Sequence, residues 1–245
     1  MVTVIVLNYL LYEIGITGGR GVAGTVFVHK IAGAAAALGK SLDEVLELAR
    51  EAAESVGTLG VALSTCTVPG APPSNRLDGA LIELGMGIHG EPGREQRTMP
   101  SGNAADSIVD DMISTILGGN GHPVRLPLSH NDESVIMVNN LGATPNLEML
   151  IVARRVLLNL KGRGVSVRRA YVGSFMTALE MAGVSISIMK IGSQEMLELL
   201  DAATEAPAWV PSPPLSDSNY TTLTYDDVQA VTAKGGPACQ ERYGL

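Results

Sequence analysis

The sequence predicts an α/β protein in which a mixed β-sheet is covered by helices. Short apolar runs of strand length alternate along the chain with longer segments whose apolar residues recur at helical spacing. Hydrophobic residues make up 46% of the 245 residues, but aromatic residues only 4%, so the core is expected to be aliphatic. A chain of this length can bury roughly 70–75% of its unfolded surface, and no disulfide or metal is needed to stabilise it.

The first third of the chain begins with a β-branched apolar run, residues 3–11, that predicts a strand. A glycine-rich turn over residues 17–24 follows it. Residues 23–38 are apolar nearly all round, which predicts a deeply buried helix with Gly39 as its C-cap. Residues 41–44 have the form of a capping box, and they begin a helix with apolar residues at helical spacing.

Gly57 and Gly60 are expected to end this second helix. The next apolar run, residues 61–68, predicts a strand that a proline-rich turn closes. Residues 81–89 alternate well enough to predict another strand, whose end runs into the glycine-rich turn at residues 90–93.

The middle of the chain continues the alternation. An amphipathic helix is predicted at residues 104–117 and a strand at residues 134–141. Thr144 is expected to be an N-cap with Pro145 at the first helical position of a helix that extends to about residue 160. The remaining predicted elements are strands at 165–172 and 184–191, a short helix at 176–181 and a last helix at 193–203.

From Ala206 onward the sequence is rich in proline, serine, threonine and aspartate and has no periodicity. Residues 206–245 are therefore expected to be a linker or disordered tail rather than part of the core.

Charge and cysteine content limit the class of protein. Acidic residues number 25 against 17 basic ones, and the net charge of −8 argues against nucleic acid as a partner. The apolar start lacks a basic region and is too short to span a bilayer, so no membrane association is expected. Cys66 and Cys239 form no CxxC pair, which indicates a reducing, cytoplasmic location and no bound metal.

Four histidines are candidates for chemistry. His29 lies in the apolar helix, where a satisfied core or helix-end histidine is expected, and His122 and His130 lie in a polar loop that favours solvated surface. His89 differs, because glycines flank it in a tight turn at a strand end and would let a ligand approach the ring. The residues alone leave a functional role and a structural, hydrogen-bonded role for His89 equally open.

The remaining polar clusters favour structural roles. Residues 18–21 could be a phosphate cradle between a strand and a helix, but a turn that lets the helix pack closely is preferred. Residues 64–66 offer hydroxyls and a thiol without an assignable base. Acidic residues on the helices predict a solvated acidic face; they are Glu47, Glu51, Glu54, Asp110 and Asp111.

Five segments in a fixed order resemble the K domain of dihydroxyacetone kinases, specifically its second lobe. They cover residues 19–35, 57–70, 83–93, 138–145 and 171–183, and the resemblance as a whole covers about 17–205. The resemblance implies the fold of that lobe, a mixed sheet covered by helices. Residues 1–16 would then be a remnant strand of a first lobe that is missing here.

In that family the histidine of the Gly-Ile-His-Gly/Asn-Glu motif forms a hemiaminal with the substrate ketone, which implies that His89 is the catalytic residue. The same motif implies that Gly87, Gly90 and Glu91 bind substrate. The imidazole must be unprotonated to attack, so an orienting carboxylate or carbonyl is expected, with Glu83 and Glu91 as candidates.

The sequence also departs from the family. The Gly-Gly-Gly-Ser-Gly-His-Glu-Pro motif and catalytic aspartate of the first lobe are missing, and so is the ATP-binding L domain. No cofactor is therefore expected on this chain, and ATP and Mg²⁺ are expected on the missing nucleotide-binding domain. The implied partners are dihydroxyacetone or a short ketose, the missing first lobe and an L-type domain. A homodimer could form through the exposed strand at residues 2–11.

Three hypotheses remain open. The chain is the ketone-binding portion of an ATP-dependent dihydroxyacetone kinase, or a non-catalytic ketose-binding or regulatory module of the same family, or an inactive product of a truncated gene. The cyclisation of FAD that is linked with fused family members would need the nucleotide domain.

Overall fold

A computed structural model of the protein describes residues 23–72, 76–77, 79–88, 91–119 and 126–215. The predicted strand at residues 3–11, most of the turn at 17–24 and the predicted tail from residue 216 lie outside these ranges. The helices are α1 (Gly24–Ala37), α2 (Leu42–Glu54), α3 (Ala104–Ile116), α4 (Asn146–Gly162) and α5 (Gln194–Asp201). The strands are β1 (Val56–Ala62), β2 (Leu81–Leu84), β3 (Glu95–Thr98), β4 (Glu133–Asn140), β5 (Ser166–Gly173) and β6 (Gly183–Lys190).

The six described strands form one mixed sheet in the order β3-β2-β1-β6-β4-β5. Only β4 and β5 are parallel, and the other four neighbouring pairs are antiparallel. Helix α4 connects the parallel pair, as the crossover between parallel strands requires. The predicted fold class, a mixed sheet covered by helices, is confirmed.

The two faces of the sheet carry different helices. On one face α1, α2 and α5 pack over Val56, Val135 and Tyr171 in a large aliphatic core. Consecutive strand residues point to opposite faces, so Gly57 faces the other side, where α3 packs. A Cβ atom at Gly57 would lie 2.7 Å from Ile116 Cγ2 of α3. The prediction that Gly57 and Gly60 end α2 is therefore wrong: both lie in β1, and Gly57 admits the close approach of α3.

Helix α1 is confirmed over Gly24–Ala37, but it is buried on one face only. Phe27, Val28 and Ile31 are buried, whereas His29 is exposed, so the expectation of a buried or helix-end histidine is wrong. Gly39 has φ +80°, and its N–H donates to the Ala36 carbonyl at 3.0 Å, which confirms the predicted glycine cap.

Gly33 permits a test of how far helix propensity in α1 contributes to stability, because a Cβ atom there would have no heavy atom within 4 Å. Gly33→Ala is expected to raise the free energy of unfolding by about 0.5–1 kcal/mol, because alanine loses less backbone entropy than glycine in a helix. Urea unfolding followed by circular dichroism measures the change. A decrease would show that the alanine methyl group meets an obstruction.

The capping box of α2 is confirmed: the Ser41 side chain accepts from the Glu44 N–H, and the Ser41 N–H donates to the Glu44 carboxylate at 2.7 Å. The predicted cap of α4 is wrong. Pro145 occupies the N-cap position, and the Thr144 hydroxyl instead bonds both backbone groups of Gly183, donating to its carbonyl oxygen at 2.7 Å and accepting from its N–H at 2.9 Å.

Three further expectations differ from the structure. Strand β2 ends at Leu84 rather than 89, since Gly85 with φ +76° turns the chain. Strand β3 was not predicted, because its sequence Glu-Gln-Arg-Thr is polar and three of its four residues are exposed. Residues 176–181 form turns rather than a helix, because Leu179 has φ +49° and the Ala178 N–H donates to the Leu141 carbonyl at 2.6 Å.

The segment after α5 has no helix or strand as far as residue 215. It is nevertheless attached to the core, contrary to expectation. The Trp209 ring lies 4.5 Å from the buried Tyr171 ring between centroids, and Lys30 Nζ lies 5.6 Å from the Trp209 centroid. Lys30 also donates to the carbonyls of Leu199 and Ala202 at the end of α5, and burial lowers the pKa of its amine. An aromatic side chain can bury a large area without any periodicity around it.

Candidate functional site

Four of the five segments singled out in the sequence meet at one end of the sheet. A cluster of buried apolar residues joins them, and we call it the motif cluster; its members are Ala62, Leu77, Met86, Leu141, Ala178 and Met181. Cys66, Leu81 and Ile88 pack against it half-buried. Four segments that are far apart in the sequence thus come together in space; they are residues 57–70, 83–93, 138–145 and 171–183. The fifth segment, residues 19–35, contributes to the core on the other side through α1.

Residues 85–93, which follow β2 directly, are called the site loop below. Its described parts are an incoming arm, 85–88, and an outgoing arm, 91–93, and these flank His89. The Gly85 N–H donates to the Gly60 carbonyl at 2.8 Å, and the Gly87 N–H donates to the Glu91 carbonyl at 3.1 Å. The two arms are therefore joined to each other and to β1.

The structure describes two of the four predicted site residues. Gly87 and Glu91 are half-buried and hydrogen-bonded to one another through the backbone, so the structure brings these two together. His89 and Gly90 lie outside the described residues. The catalytic role of His89 and the substrate contacts of Gly87, Gly90 and Glu91 therefore remain predictions, as does the orientation of the imidazole by Glu83 or Glu91.

Glu83 lies beneath the site loop and is buried, with 1% of its surface exposed. Its Oε1 accepts from the Arg76 guanidinium and from the Gly93 N–H, and its Oε2 accepts from Gln96 Nε2 at 2.8 Å. Both carboxylate oxygens are thus used to hold groups around the loop.

Two consecutive asparagines at the end of β4 organise the opposite side of the motif cluster. Asn139 donates to the Met176 carbonyl at 2.7 Å and accepts from the N–H groups of Phe175 and Met176 at 2.8 Å. Asn140 accepts from the N–H groups of Gly142 and Thr144. These residues were not recognised in the sequence, although two buried amides closing an apolar strand are a usable signal for loop-holding side chains.

The hydroxyl-and-thiol segment, residues 64–66, lies at the same end of the sheet. The Ser64 hydroxyl accepts from the Ala182 N–H at 2.9 Å, which makes it a turn-stabilising group. Glu180 accepts from the Thr67 N–H at 2.7 Å, and the hydrogen bonds from Thr67 lower the pKa of this carboxylate. Both contacts join residues 64–67 to the turn before β6.

The other candidates lie away from the motif cluster. His130 is exposed, as expected, and His29 borders a separate cavity of about 400 Å³ between α1 and the segment after α5. Asp110 on α3 pairs with Arg155 on α4, and this ion pair lowers the pKa of the aspartate. The prediction of a solvated acidic face is confirmed for the exposed glutamates of α2, which are Glu47, Glu51 and Glu54. It is wrong for Asp110 and Asp111, which are half-buried and paired with Arg155 and Arg97.

Within the described ranges, no group of three or more histidine, cysteine or acidic side chains could hold a metal ion. Among the same residues, no helix is both long enough and apolar enough to cross a bilayer.

Comparison with known proteins shows extensive similarity. The chain is 47% identical over 196 residues to a putative 3,4-dihydroxy-2-butanone kinase of Solanum lycopersicum, which covers 80% of this chain and 32% of that protein. It is 44% identical over 195 residues to the dihydroxyacetone-binding subunit DhaK of the PTS-dependent dihydroxyacetone kinase 1 of Listeria innocua, covering 79% of this chain and 56% of that subunit.

Two solved structures are also similar. One is the dihydroxyacetone kinase operon co-activator Dha-DhaQ, with a TM-score of 0.70 and 29% identity over 83% of this chain and 59% of that one. The other is the dihydroxyacetone kinase from C. freundii in complex with AMP-PNP and Mg²⁺, with a TM-score of 0.70 and 32% identity over 84% of this chain and 36% of that one.

The chain thus spans between about a third and three fifths of the length of these relatives. The family model described as the Dak1 domain matches residues 13–208, which include every described strand and helix. This chain therefore belongs to the Dak1 domain family.

Proposed function

We propose that this chain is the ketone-binding portion of an ATP-dependent kinase that acts on dihydroxyacetone or a related short ketose. The observation that carries the proposal is the motif cluster, at which four family segments meet beside the site loop. The names of relatives support it, since one is a dihydroxyacetone-binding subunit and another a putative 3,4-dihydroxy-2-butanone kinase.

In the proposed capture step the neutral His89 ring attacks the ketone carbon. A C–N bond forms while the carbonyl π bond breaks, and the oxygen becomes a hydroxyl. The proton that it gains is balanced by the one that the other ring nitrogen releases. Covalent attachment holds a terminal hydroxyl in one orientation, and such positioning can contribute several kcal/mol to a later transfer. A polyol without a carbonyl cannot be captured in this way.

The phosphoryl transfer itself is assigned to residues outside this chain. ATP and Mg²⁺ would bind an L-type domain, and the hydroxyl would be activated from a first lobe. The chain is proposed to act within the cytoplasm as one part of that assembly.

His89→Ala is expected to abolish ketone capture. Dihydroxyacetone labelled with ¹³C at the carbonyl is titrated with the full chain, and a new signal in the region of tetrahedral carbon reports the hemiaminal. His130→Ala is the matched control, since that ring is exposed and lies away from the motif cluster. Persistence of the new signal in His89→Ala, or its absence from the unaltered protein, would refute the capture step.

A second function is favoured by one comparison. The similar structure Dha-DhaQ is described as an operon co-activator, so a regulatory ketose-binding module is the alternative. A kinase assay with an added L-type subunit separates the two. Turnover of dihydroxyacetone supports the kinase portion, whereas ketone capture without turnover supports the regulatory module.

A further inference from the structure

Glu83 is the only buried acidic residue in the described part of the chain. Burial of a carboxylate is unfavourable unless hydrogen bonds or an opposite charge compensate it. Here the compensation comes from Arg76, from the Gly93 N–H and from Gln96. All three donors lie in the segments next to β2, and none lies in β1, β6, β4 or β5.

The contact with Gly93 controls the end of the site loop. A Cβ atom at Gly93 would lie 2.5 Å from the Leu84 carbonyl oxygen and 2.7 Å from Glu83 Cγ, so the backbone passes directly over the carboxylate. The following residue, Arg94, donates its N–H to the same Leu84 carbonyl at 2.7 Å. The outgoing arm is therefore held against β2 by one buried side chain and one backbone bond.

A backbone hydrogen bond connects the outgoing arm to the incoming arm. Glu91, two residues before Gly93, accepts the hydrogen bond of the Gly87 N–H at 3.1 Å. Met86, in the incoming arm, is buried in the motif cluster. A displacement of Gly93 would consequently move both arms relative to that cluster.

We propose that Glu83 is a positioning residue: its carboxylate holds the Gly93 amide and thereby fixes the outgoing arm of the site loop, residues 91–93, against β2. This inference rests on the proposed function for its consequence in ketone capture. Its structural part, the hold on Gly93, is independent of that function. Glu83 acts through the loop and is not a catalytic residue.

Glu83→Gln tests the proposal because it keeps the size of the side chain but replaces the charge-assisted hydrogen bond from the Gly93 N–H with a weaker, neutral one. It also places an amide NH₂ against Gln96 Nε2, where the carboxylate accepts a hydrogen bond. The Gly93 amide is expected to exchange with deuterium roughly tenfold faster, and the apparent affinity for labelled dihydroxyacetone is expected to fall by a similar factor. Amide exchange in β4 and β6 is expected to be unchanged, since Glu83 has no partner there.

A double variant, Glu83→Gln with Gln96→Glu, serves as the matched rescue. The amide oxygen at position 83 can accept from Gly93, its NH₂ group can donate to the carboxylate at position 96, and the charge near Arg76 is restored. Both Gly93 exchange and ketone affinity are expected to return to within about threefold of the unaltered protein. If Glu83→Gln does not fold, Gln96→Leu, which removes only the Oε2 contact, is expected to speed Gly93 exchange in the same direction.

Unchanged Gly93 exchange in the folded Glu83→Gln or Gln96→Leu variant would overturn the proposal. So would a folded double variant that fails to recover. Faster Gly93 exchange with undiminished ketone capture would limit Glu83 to a structural role and overturn its role in positioning. Failure of the proposed function has a different signature: His89→Ala would still capture the ketone, while Gly93 exchange would continue to report on Glu83.

Discussion

Gly183→Ala is expected to lower the free energy of unfolding by about 2–6 kcal/mol, a large fraction of the stability of an ordinary domain. Gly183 has φ +141°, a conformation that residues with side chains rarely adopt. A Cβ atom there would lie 2.2 Å from the Val61 carbonyl oxygen and 2.9 Å from Ala62 Cα.

Strand β6 cannot shift to relieve this contact. Gly183 pairs with Ala62 in the antiparallel ladder on one side, and Thr144 bonds both its N–H and its carbonyl on the other. The predicted loss combines backbone strain with steric overlap against backbone atoms that have no rotamer to change.

Urea unfolding of the full chain measures the effect, with Gly162→Ala as the matched control. Gly162 lies at the end of α4, has no heavy atom within 4 Å of a built Cβ and has no positive φ. The control is expected to remain within about 0.5 kcal/mol of the unaltered protein or to be slightly more stable. Equal destabilisation by both substitutions would contradict the structure around Gly183.

Asn139→Ala is expected to lower the free energy of unfolding by about 3 kcal/mol. The amide has 1% of its surface exposed, and it satisfies two backbone N–H groups and one carbonyl in residues 175–176. Alanine would leave those groups without partners, and an unsatisfied buried group costs about 1–3 kcal/mol.

The substitution should also affect the motif cluster. Ala178 and Met181 follow directly after the turn that Asn139 holds, and both are buried in that cluster. Relative to the unaltered protein, the folded variant is expected to show faster hydrogen–deuterium exchange in residues 174–182. The increase in residues 83–88 is expected to be smaller. Asn146→Ala, at an exposed position of α4, is the control and should change stability by no more than about 0.5 kcal/mol. Protection of residues 174–182 equal to that of the unaltered protein would contradict the role of Asn139.

Most elements of the fold could be predicted because their signals are local. The capping box at Ser41 and the glycine after α1 depend on contacts within a few residues, so the sequence was sufficient for both. Strand β3 depends on pairing with β2 rather than on apolar residues, and it was missed. A glycine that ends a helix and a glycine in a strand that lets a helix pack closely against it cannot be distinguished in the sequence. Gly57 is of the second kind.

In the candidate site, too, local features could be predicted and long-range contacts could not. The order of the five segments and the histidine near Gly87 and Gly90 were visible in the sequence. The roles of Glu83 and Asn139 were not, because their partners lie at Gly93 and Gln96 in one case and at Phe175 and Met176 in the other. Hydrogen bonds between residues 10 to 37 positions apart leave no periodic pattern in a sequence.

The sequence by itself determined the fold class, the capping box of α2, the glycine cap of α1 and the segments that mark the family, since periodicity and capping act over one or two turns. Only the tertiary structure decided that four of those segments meet in one cluster and that a buried carboxylate holds the loop beside it. It also decided that Trp209, in a segment without periodicity, packs on Tyr171. Burial and charge compensation depend on which distant residues come into contact, and that is settled when the sheet assembles.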